Sequence, residues 1–433
     1  MRRLRTCGLF RLMRVQSRKG SSPAKLSLPT AVCIAFLFCA AAVVPSPAQG
    51  FILRPLAYFD GANGGSPMSP LIQASDGNFY GTTARGGPAN WGTVFKVTPA
   101  GVVTTLYSFC SQPNCADGAY PIAALVQGWD GNFYGTTYHG GTSGQCGSSG
   151  CGSVFKITPA GFLTTLYSFC SQPNCSDGSE PSAALVLGGD GSFYGITEFG
   201  GWTQSCNDSR GCGTVFKITP SGALNTVYQF CSEMNCVDGL MPWGGLMFGR
   251  DGYLYGTTVW GGAIGYGTVF RLGGTLTTLH SFSFDDGAQP MASLVLATDG
   301  SLYGTTWDGG APHYGYGTVF KITPSGTFTK LYSFGNGDDG SRPWAALIQA
   351  TDGNLYGTTS DGGYGSGTVF AITPGGTLTT LYSFFYYEGA TPYAALLQAS
   401  NRQLYGTAAS GGQYGYGAVF VLERLRACAI CGP

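Results

Sequence analysis

The chain has 433 residues, of which 10% are charged and 14% aromatic, and it contains 71 glycines. No segment keeps a 3.6-residue apolar period, which excludes a mainly helical protein. The high content of aromatic residues excludes a disordered protein. The formal net charge of zero hides an uneven distribution, since all eight basic residues from Arg2 to Lys25 precede the first acidic residue, Asp60.

Residues 1–48 have the three parts of a secretory signal peptide. The basic region is followed by an apolar run from Leu28 to Val44, and Ser46 and Ala48 suit the −3 and −1 positions of a cleavage site. The run is short for a membrane span, and an uncleaved N-terminal anchor is the alternative. Cleavage leaves 14 basic against 22 acidic residues, a net charge of −8. We therefore expect a secreted protein, extracellular or periplasmic, with no membrane span after cleavage and no nucleic acid partner.

Ten of the twelve cysteines beyond residue 48 form five close pairs: Cys110/Cys115, Cys146/Cys151, Cys170/Cys175, Cys206/Cys212 and Cys231/Cys236. A later repeat that lacks one cysteine of a pair lacks both, as at Gly335–Asp338, which predicts local disulfides. Metal binding is the alternative, but a zinc site needs two such pairs facing each other, usually with histidines. Cys428 and Cys431 are predicted to form a tail disulfide or an incidental pair rather than a redox centre.

The chain between these termini consists of seven copies of one repeat. The motif Tyr-Gly-Thr, or Tyr-Gly-Ile-Thr in the third copy, begins at Tyr80, Tyr134, Tyr194, Tyr255, Tyr303, Tyr356 and Tyr405. A second motif, Gly-Thr-Val-Phe or a close variant, follows at Gly92, Gly152, Gly213, Gly267, Gly317, Gly367 and Gly417. The regular recurrence of both motifs indicates an array in which the same supersecondary unit is repeated.

One copy, Pro343–Phe384, predicts four strands. These are Ala345–Gln349, Leu355–Thr358, Thr368–Thr373 and Leu378–Phe384, and an Asp-Gly hairpin turn joins the first two. Four antiparallel strands in about 50 residues describe the blade of a β-propeller. The sequence therefore predicts an all-β fold, a seven-bladed β-propeller over residues 49–422, with a short tail at 423–433.

The two ends of the repeat region are out of phase, which predicts how the ring closes. The last copy stops after its third strand, and an isolated strand of the fourth type, Leu56–Phe59, precedes the first copy. We expect Leu56–Phe59 to pair with Ala418–Leu422 and to complete the last blade, because pairing removes two exposed strand edges. An open solenoid, the alternative, would leave both edges exposed.

The repeat unit, with Asp-Gly-Asn-Leu-Tyr-Gly-Thr-Thr, Gly-Thr-Val-Phe, Ile-Thr-Pro and Leu-Tyr-Ser-Phe, resembles the GloVer tandem repeat of exported bacterial "choice-of-anchor" proteins. The resemblance covers nearly all of Phe51–Leu422. It implies export and a surface or extracellular location, and it implies no established activity. The segment Glu423–Pro433 does not resemble an anchor, so attachment through one is not expected.

Loops after the second and fourth strands of a blade share one face of a propeller, here called the long-loop face, and the other loops share the hairpin face. Every predicted disulfide and nearly every insertion falls on the long-loop face, which predicts that a ligand binds there. An acidic residue followed by Gly recurs on this face as a candidate ring around the axis: Asp60, Asp117, Asp177, Asp238, Asp286, Asp339 and Glu388. The alternative is that each one caps a turn, the role that we also expect for Asp76 and its equivalents on the hairpin face.

Aromatic residues in or beside the long loops form a second candidate set, because exposed rings stack on sugars or flat apolar ligands. They are Trp91, Tyr138, Trp202, Trp260, Trp307, Tyr314, Tyr316, Tyr364, Tyr414 and Tyr416, with packing between blades as the alternative. His139 and His313 are candidates for the same site, whereas His280 replaces a Tyr of a fourth strand and is predicted to be structural. No nucleophile elbow, phosphate loop or metal motif occurs, so we predict no catalytic residue, metal or cofactor.

These patterns favour a monomeric binding or scaffold module for a polysaccharide or another cell-envelope ligand. The alternative is a lyase or hydrolase that acts on a carbohydrate or peptide-like substrate at the axial channel. That alternative requires a histidine beside carboxylates in the axial pocket, whereas histidines that are buried and remote from each other would exclude it.

Overall fold

The computed structural model describes residues 50–424 except 202–205, 207, 208, 311–314 and 336. The predicted signal peptide, Trp202, His313, Tyr314, Cys428 and Cys431 lie outside the described residues. Within the described range the chain forms seven four-stranded antiparallel sheets. This confirms the predicted seven-bladed propeller with four strands in each blade.

Strand β1 spans Phe51–Tyr58, and the remaining strands follow blade by blade. Blade 1 contains β2 (Ile72–Gln73), β3 (Phe79–Thr83), β4 (Thr93–Val97) and β5 (Val103–Ser108), and blade 2 contains β6 (Val126–Gln127), β7 (Phe133–Thr137), β8 (Ser153–Ile157) and β9 (Leu163–Ser168). Blade 3 contains β10 (Val186–Leu187), β11 (Phe193–Thr197), β12 (Thr214–Ile218) and β13 (Leu224–Gln229), and blade 4 contains β14 (Met247–Phe248), β15 (Leu254–Thr258), β16 (Thr268–Gly273) and β17 (Thr275–Ser281).

Blade 5 contains β18 (Val295–Leu296), β19 (Leu302–Thr306), β20 (Thr318–Ile322) and β21 (Phe328–Ser333), and blade 6 contains β22 (Ile348–Gln349), β23 (Leu355–Thr359), β24 (Thr368–Ile372) and β25 (Leu378–Ser383). Blade 7 contains β26 (Leu397–Gln398), β27 (Leu404–Ala408), β28 (Ala418–Arg424) and β1. Single 3₁₀ turns at Pro113–Cys115, Gly147–Ser149, Pro173–Cys175 and Met234–Cys236 lie in loops that carry disulfides.

The Tyr-Gly-Thr motif forms the second strand of every blade, and its glycine has a steric reason. A Cβ atom at Gly81 would lie 2.8 Å from Cζ of Phe95, which is fully buried on the neighbouring third strand. The equivalent glycines of the other blades would meet the equivalent Phe at 2.4–2.6 Å. The glycine therefore makes room for the Phe of the Gly-Thr-Val-Phe motif, which explains why the two motifs recur together.

Side chains of the second strand join neighbouring blades. The ring of Tyr80 packs against Phe133 of the next blade with centroids 4.3 Å apart, and its hydroxyl donates to Asp76 in its own hairpin turn at 2.8 Å. Thr82 Oγ1 donates to the carbonyl of Ala123 in the next blade at 2.9 Å. The aspartates of the hairpin face thus hold tyrosines in place, as expected from their position in turns.

The first strand of each blade is shorter than predicted. In blade 6 it spans Ile348–Gln349 instead of Ala345–Gln349. The carbonyl of Ala345 accepts a hydrogen bond from Thr305 Oγ1 of the preceding blade at 3.2 Å, which takes this residue out of the ladder of its own blade. Ala345 and Ala346 line a narrow cavity on the propeller axis instead.

Ring closure occurs through β1, as predicted. Strand β1 pairs antiparallel with β28, with Leu53 opposite Leu422, and a bulge follows Pro55. Phe59, directly after β1, is fully buried and packs edge-on against Phe95 of blade 1 with centroids 4.9 Å apart. The N-terminal strand therefore completes blade 7 and brings it into contact with blade 1.

Five disulfides join the cysteine pairs predicted from the sequence, Cys110–Cys115, Cys146–Cys151, Cys170–Cys175, Cys206–Cys212 and Cys231–Cys236. All five lie in loops that follow a second or a fourth strand, and so they belong to the long-loop face. A separate finding concerns membranes: none of the helices in the described residues is long and apolar enough to cross one.

Candidate functional site

Three positions of each repeat surround the axis on the long-loop face. Two of them flank the Pro that precedes the first strand, and the third follows the second strand. The backbone ties them together, because the N–H of Tyr138 donates to the carbonyl of Tyr120 and the N–H of Glu198 donates to the carbonyl of Glu180, both at 3.1 Å. We call these positions together the axial mouth.

The residue before the Pro has an unusual backbone conformation in every repeat. Its φ lies between 50° and 59° at Ser66, Tyr120, Glu180, Met241, Gln289, Arg342 and Thr391. A side chain in this left-handed region costs about 1–2 kcal/mol, and most other positive-φ positions of this chain are occupied by glycine. Side chains that persist under such strain mark candidate functional positions.

Five aromatic residues form a continuous cluster around the mouth. The ring of Trp344 has its centroid 6.0 Å from Trp243, 5.5 Å from Tyr393 and 6.4 Å from Trp307, and Tyr138 lies 6.1 Å from Trp243. We call these residues the axial aromatic cluster. Each of the five is half-buried, so part of every ring remains available to a ligand.

The axial cavity beneath this cluster is small. Its volume is about 110 Å³, and small residues such as Ala183, Gly244 and Ala345 line it together with Trp243 and Trp344. Pockets that enclose small-molecule ligands typically measure about 300–1,000 Å³. A ligand of the size of a sugar ring would therefore rest on the aromatic cluster rather than inside the cavity.

Carboxylates lie beside one end of the aromatic cluster. The hydroxyl of Tyr138 donates to Oε2 of Glu198 at 2.6 Å. Burial raises the pKa of Tyr138, and the Glu198 and Glu180 carboxylates raise it further. Tyr138 therefore stays protonated as a hydrogen-bond donor over the whole neutral pH range, and the two glutamates offer acceptors at the mouth.

His139 lies directly beside this acidic group. Its ring stacks on Tyr120 with centroids 5.6 Å apart and meets the edge of Tyr138 at 4.8 Å. Its Nδ1 atom is buried and has no hydrogen-bond partner among the described residues. Burial lowers the pKa of His139, and the Glu180 carboxylate only partly opposes this.

A cationic side chain lies at the opposite end of the cluster. The guanidinium of Arg342 is 5.0 Å from the ring centroid of Trp307 and 3.4 Å from Oδ2 of Asp361. This pair neutralises its own charge.

The structure places the predicted acidic ring away from the axial cavity. Asp117 is fully buried, and its Oδ2 accepts hydrogen bonds from the Tyr107 hydroxyl (2.8 Å) and from Ser111 N–H (2.9 Å) and Oγ (2.8 Å). The same arrangement holds Asp177 and Asp238 through Tyr167 and Tyr228. These carboxylates cap their own loops, and none of them lines the axial cavity.

The other members of the acidic set have related partners. Asp339 accepts from Tyr332 at 3.0 Å, Glu388 accepts from Tyr382, and Asp60 exchanges hydrogen bonds with Asn63. In blade 4, His280 takes the place of the tyrosine and lies 3.1 Å from Asp286, with its ring stacked on Phe328 at 3.8 Å. His280 is thus a structural substitute for the tyrosine, as predicted.

Of the remaining candidates from the sequence, Tyr138 and Trp307 belong to the axial aromatic cluster, and His139 lies beside Tyr138. Trp260 is 39% exposed and lines a separate groove on the same face with Met234. Trp202 and His313 lie outside the described residues. The sequence analysis missed Trp243, Trp344, Tyr393, Tyr120, Glu180 and Glu198. A signal for them exists, because the residues that flank the repeated Pro and the residue after the second strand differ from copy to copy while the Pro itself is kept.

Comparisons with known proteins identify one repeat family and several distantly similar structures. A family model described as the Gloeobacter/Verrucomicrobia repeat matches residues 46–249, 145–343 and 242–426. No curated protein matches the sequence. Among solved structures, a gluconolactonase from Xanthomonas campestris is 12% identical with a TM-score of 0.44, covering 88% of this chain and 92% of its own. A PQQ-bound aldose sugar dehydrogenase from Streptomyces coelicolor is 13% identical with a TM-score of 0.42, covering 87% and 99%. These similarities are too low to inform function, which has to be inferred from the site.

Proposed function

The chain belongs to the Gloeobacter/Verrucomicrobia repeat family, and we propose that it is an exported module that binds a saccharide at the axial aromatic cluster. The observation that carries the proposal is the continuous group of half-buried rings over a cavity too small to enclose a ligand. Rings of this kind stack on the apolar faces of sugars, and a few polar groups beside them fix the orientation of the ligand.

The polar groups of the mouth favour a neutral polysaccharide. The Glu180 carboxylate, which lies beside Tyr138 and His139, can accept hydrogen bonds from sugar hydroxyls, and it would repel uronic acids. Arg342, whose guanidinium lies 5.0 Å from the ring of Trp307, is paired with Asp361. A chain of neutral hexoses fits this combination better than an anionic polymer, because like charges at a desolvated site oppose binding.

Export is part of the same proposal. Residues 1–48 are predicted to be a signal peptide, and five disulfides persist most readily in an oxidising compartment such as the periplasm or the extracellular medium. A protein that binds polysaccharide outside the cytoplasm would meet its ligand in the cell envelope or in the surrounding medium.

The test is a binding screen of the folded mature chain against neutral and anionic polysaccharides, followed by titration of each hit. Trp344→Ala and Trp243→Ala should each weaken binding at least about 10-fold, because buried aromatic anchors carry most of the binding energy. The matched control is Trp129→Ala, since Trp129 is 72% exposed in a turn of the hairpin face. Equal losses in the control and in Trp344→Ala, or no binding by a folded chain to any polysaccharide, would contradict the proposal.

His139 favours a second candidate function, a lyase or hydrolase that acts on the bound saccharide. The half-buried imidazole of His139 is neutral at neutral pH and lies beside the Glu180 carboxylate, which is the pairing that a general base of this kind requires. Product analysis after incubation with each bound polysaccharide distinguishes this function from binding alone. A product that disappears in His139→Gln and remains in His280→Gln supports catalysis, and the absence of product leaves the binding module.

A further inference from the structure

The cysteines of blades 2 and 3 form two compact groups, each made of two disulfides. In blade 2, Cys146–Cys151 follows β7 and Cys170–Cys175 follows β9. The Sγ atoms of Cys146, Cys151 and Cys170 all lie within 4.8 Å of one another, and Cys151 and Cys170 are buried. The two loops of blade 2 therefore meet through their sulfur atoms.

Blade 3 repeats this arrangement. Cys206–Cys212 follows β11 and Cys231–Cys236 follows β13. The Sγ atoms of Cys212, Cys231 and Cys236 lie within 4.8 Å of one another, all three are buried, and Cys206 packs against them. We call the two groups the blade 2 and blade 3 cysteine clusters.

Blade 1 provides an internal comparison. It carries Cys110–Cys115 in the equivalent loop after its fourth strand, but residues 84–92, which follow its second strand, contain no cysteine. A zinc site built from these cysteines needs two cysteine pairs that face each other. Blades 2 and 3 meet this requirement, and blade 1 does not.

The spacing of the sulfur atoms suits a tetrahedral ion. Zn²⁺ binds four thiolates at about 2.3 Å, which places neighbouring sulfurs about 3.8 Å apart. Three sulfurs of each cluster lie within 4.8 Å of one another, and the fourth, from Cys175 in blade 2 and Cys206 in blade 3, is held next to them by its disulfide, so four thiolates would be close enough to share one ion. Cysteine pairs separated by four or five residues can also supply two ligands from one loop.

We propose that each cluster has two alternative states, two disulfides when oxidised and one Cys₄ site for a soft divalent cation such as Zn²⁺ when reduced. A dithiol or phosphine reductant cleaves the two disulfides of a cluster, is itself oxidised by four electrons in total, and leaves four thiols. Binding one cation then displaces four protons and gives a four-thiolate complex with a net charge of −2.

Both states hold the backbone of the axial mouth. The carbonyl of Cys151 accepts from the N–H of Glu180, and the carbonyl of Cys212 accepts from the N–H of Met241, each at 2.8 Å. Metal binding would thus keep these loops joined in a reducing environment, for example before export, where the disulfides do not form. This proposal is independent of saccharide binding.

Titration of the full chain with Co²⁺, after anaerobic reduction by a phosphine, tests the proposal. We expect two Co²⁺ per reduced chain with thiolate-to-cobalt charge-transfer absorption, displacement by Zn²⁺, and no such binding by the oxidised chain. The double variant C146S/C151S should bind one ion, and the matched control C110S/C115S should still bind two. No charge-transfer band, or a loss of stoichiometry in C110S/C115S equal to that in C146S/C151S, would overturn it.

If the reduced chain unfolds, circular dichroism can still measure whether Zn²⁺ restores the β-sheet structure. Recovery of the β-sheet spectrum on addition of two equivalents of Zn²⁺, with recovery in C110S/C115S as well, supports the two sites. A reduced chain that stays unfolded with Zn²⁺ present would overturn the proposal, because binding to preformed loops must stabilise the fold.

Discussion

The hairpin face and the axial mouth are built by the same seven repeats, yet they differ in what the repeats share. On the hairpin face, the Asp at 76, 130, 190, 251, 299 and 352 accepts a hydrogen bond from the Tyr four residues later in every case. At the mouth, the position of Tyr138 is occupied by Ala84, Glu198, Val259, Trp307, Ser360 and Ala409 in the other repeats. Positions that are alike stabilise the ring, and we infer that positions that differ recognise the ligand.

The largest expected effect concerns the frame that all repeats share. Deletion of residues 51–59 removes β1, exposes the edge of β28 and removes the fully buried Phe59. Loss of one buried Phe alone costs about 3–5 kcal/mol, and the unpaired edge promotes aggregation. We expect a large fall in the thermal unfolding temperature, or an insoluble product, measured by calorimetry and light scattering.

The matched control for this deletion is the substitution of a Phe that is exposed and does not pack between strands. Phe162 is 75% exposed, so Phe162→Ala should change the free energy of unfolding by less than about 0.5 kcal/mol. A deletion variant that unfolds at the temperature of the full chain would show that β1 does not close the ring.

A smaller loss of stability is expected when a residue of the acidic set is replaced, and it distinguishes the two roles considered for this set, loop capping and ligand binding. Asp177 is buried under its loop and accepts hydrogen bonds from Tyr167, from Ser171 and from the N–H of Gln172. Asp177→Ala leaves these donors unpaired and should lower the free energy of unfolding by about 2–3 kcal/mol, with unchanged saccharide affinity. Denaturant titration and binding of the same sample measure both quantities.

The exposed Asp60 is the control for Asp177, because it is a member of the same acidic set but exchanges hydrogen bonds with Asn63, the residue that stands at the repeat position of Asp177. Asp60→Ala should have a much smaller effect on stability. A weaker affinity in Asp177→Ala without a loss of stability would instead support an acidic ligand-binding ring.

The smallest effect concerns the pH dependence of the mouth. Because burial lowers the pKa of His139 below its ordinary value, the unfolded chain binds this proton more tightly than the folded chain. The free energy of unfolding should therefore fall as the pH drops below about 6.5, by less than about 1 kcal/mol for a half-buried ring. His139→Gln should remove this part of the pH dependence in denaturant titrations between pH 5 and 7. A wild-type slope that persists in the variant would assign it to other groups.

The fold could be predicted because its determinants are local and repeated. The spacing of Tyr-Gly-Thr and Gly-Thr-Val-Phe predicts the second and third strands, and the phase of Leu56–Phe59 predicts closure. The length of the first strand could not be predicted in this way, because the carbonyl of Ala345 is bound by Thr305 of the preceding blade. Contacts between blades are not visible in the periodicity of one repeat.

The same distinction explains why only part of the candidate site was predicted from the sequence. The sequence places Trp307, Tyr138 and His139 in long loops, and aromatic residues in such loops can be predicted as ligand contacts without knowledge of the fold. Trp243 and Trp344 stand directly before the small residues of the predicted first strand, and only the ring brings them together across the axis. The acidic set was recognisable as turn residues, but the tyrosine ten residues before Asp117 could not be identified as its partner without the fold.

The most direct test of the central claim is a crystal structure of the folded chain, purified from its native medium or soaked with a polysaccharide fragment from the screen. We predict ligand density over the axial cavity, with a sugar ring stacked on Trp344 or Trp243 and a hydroxyl within hydrogen-bonding distance of Glu180 or Glu198. Density seated in the groove beside Trp260 or on the hairpin face, with the axial mouth free of ligand, would contradict the account.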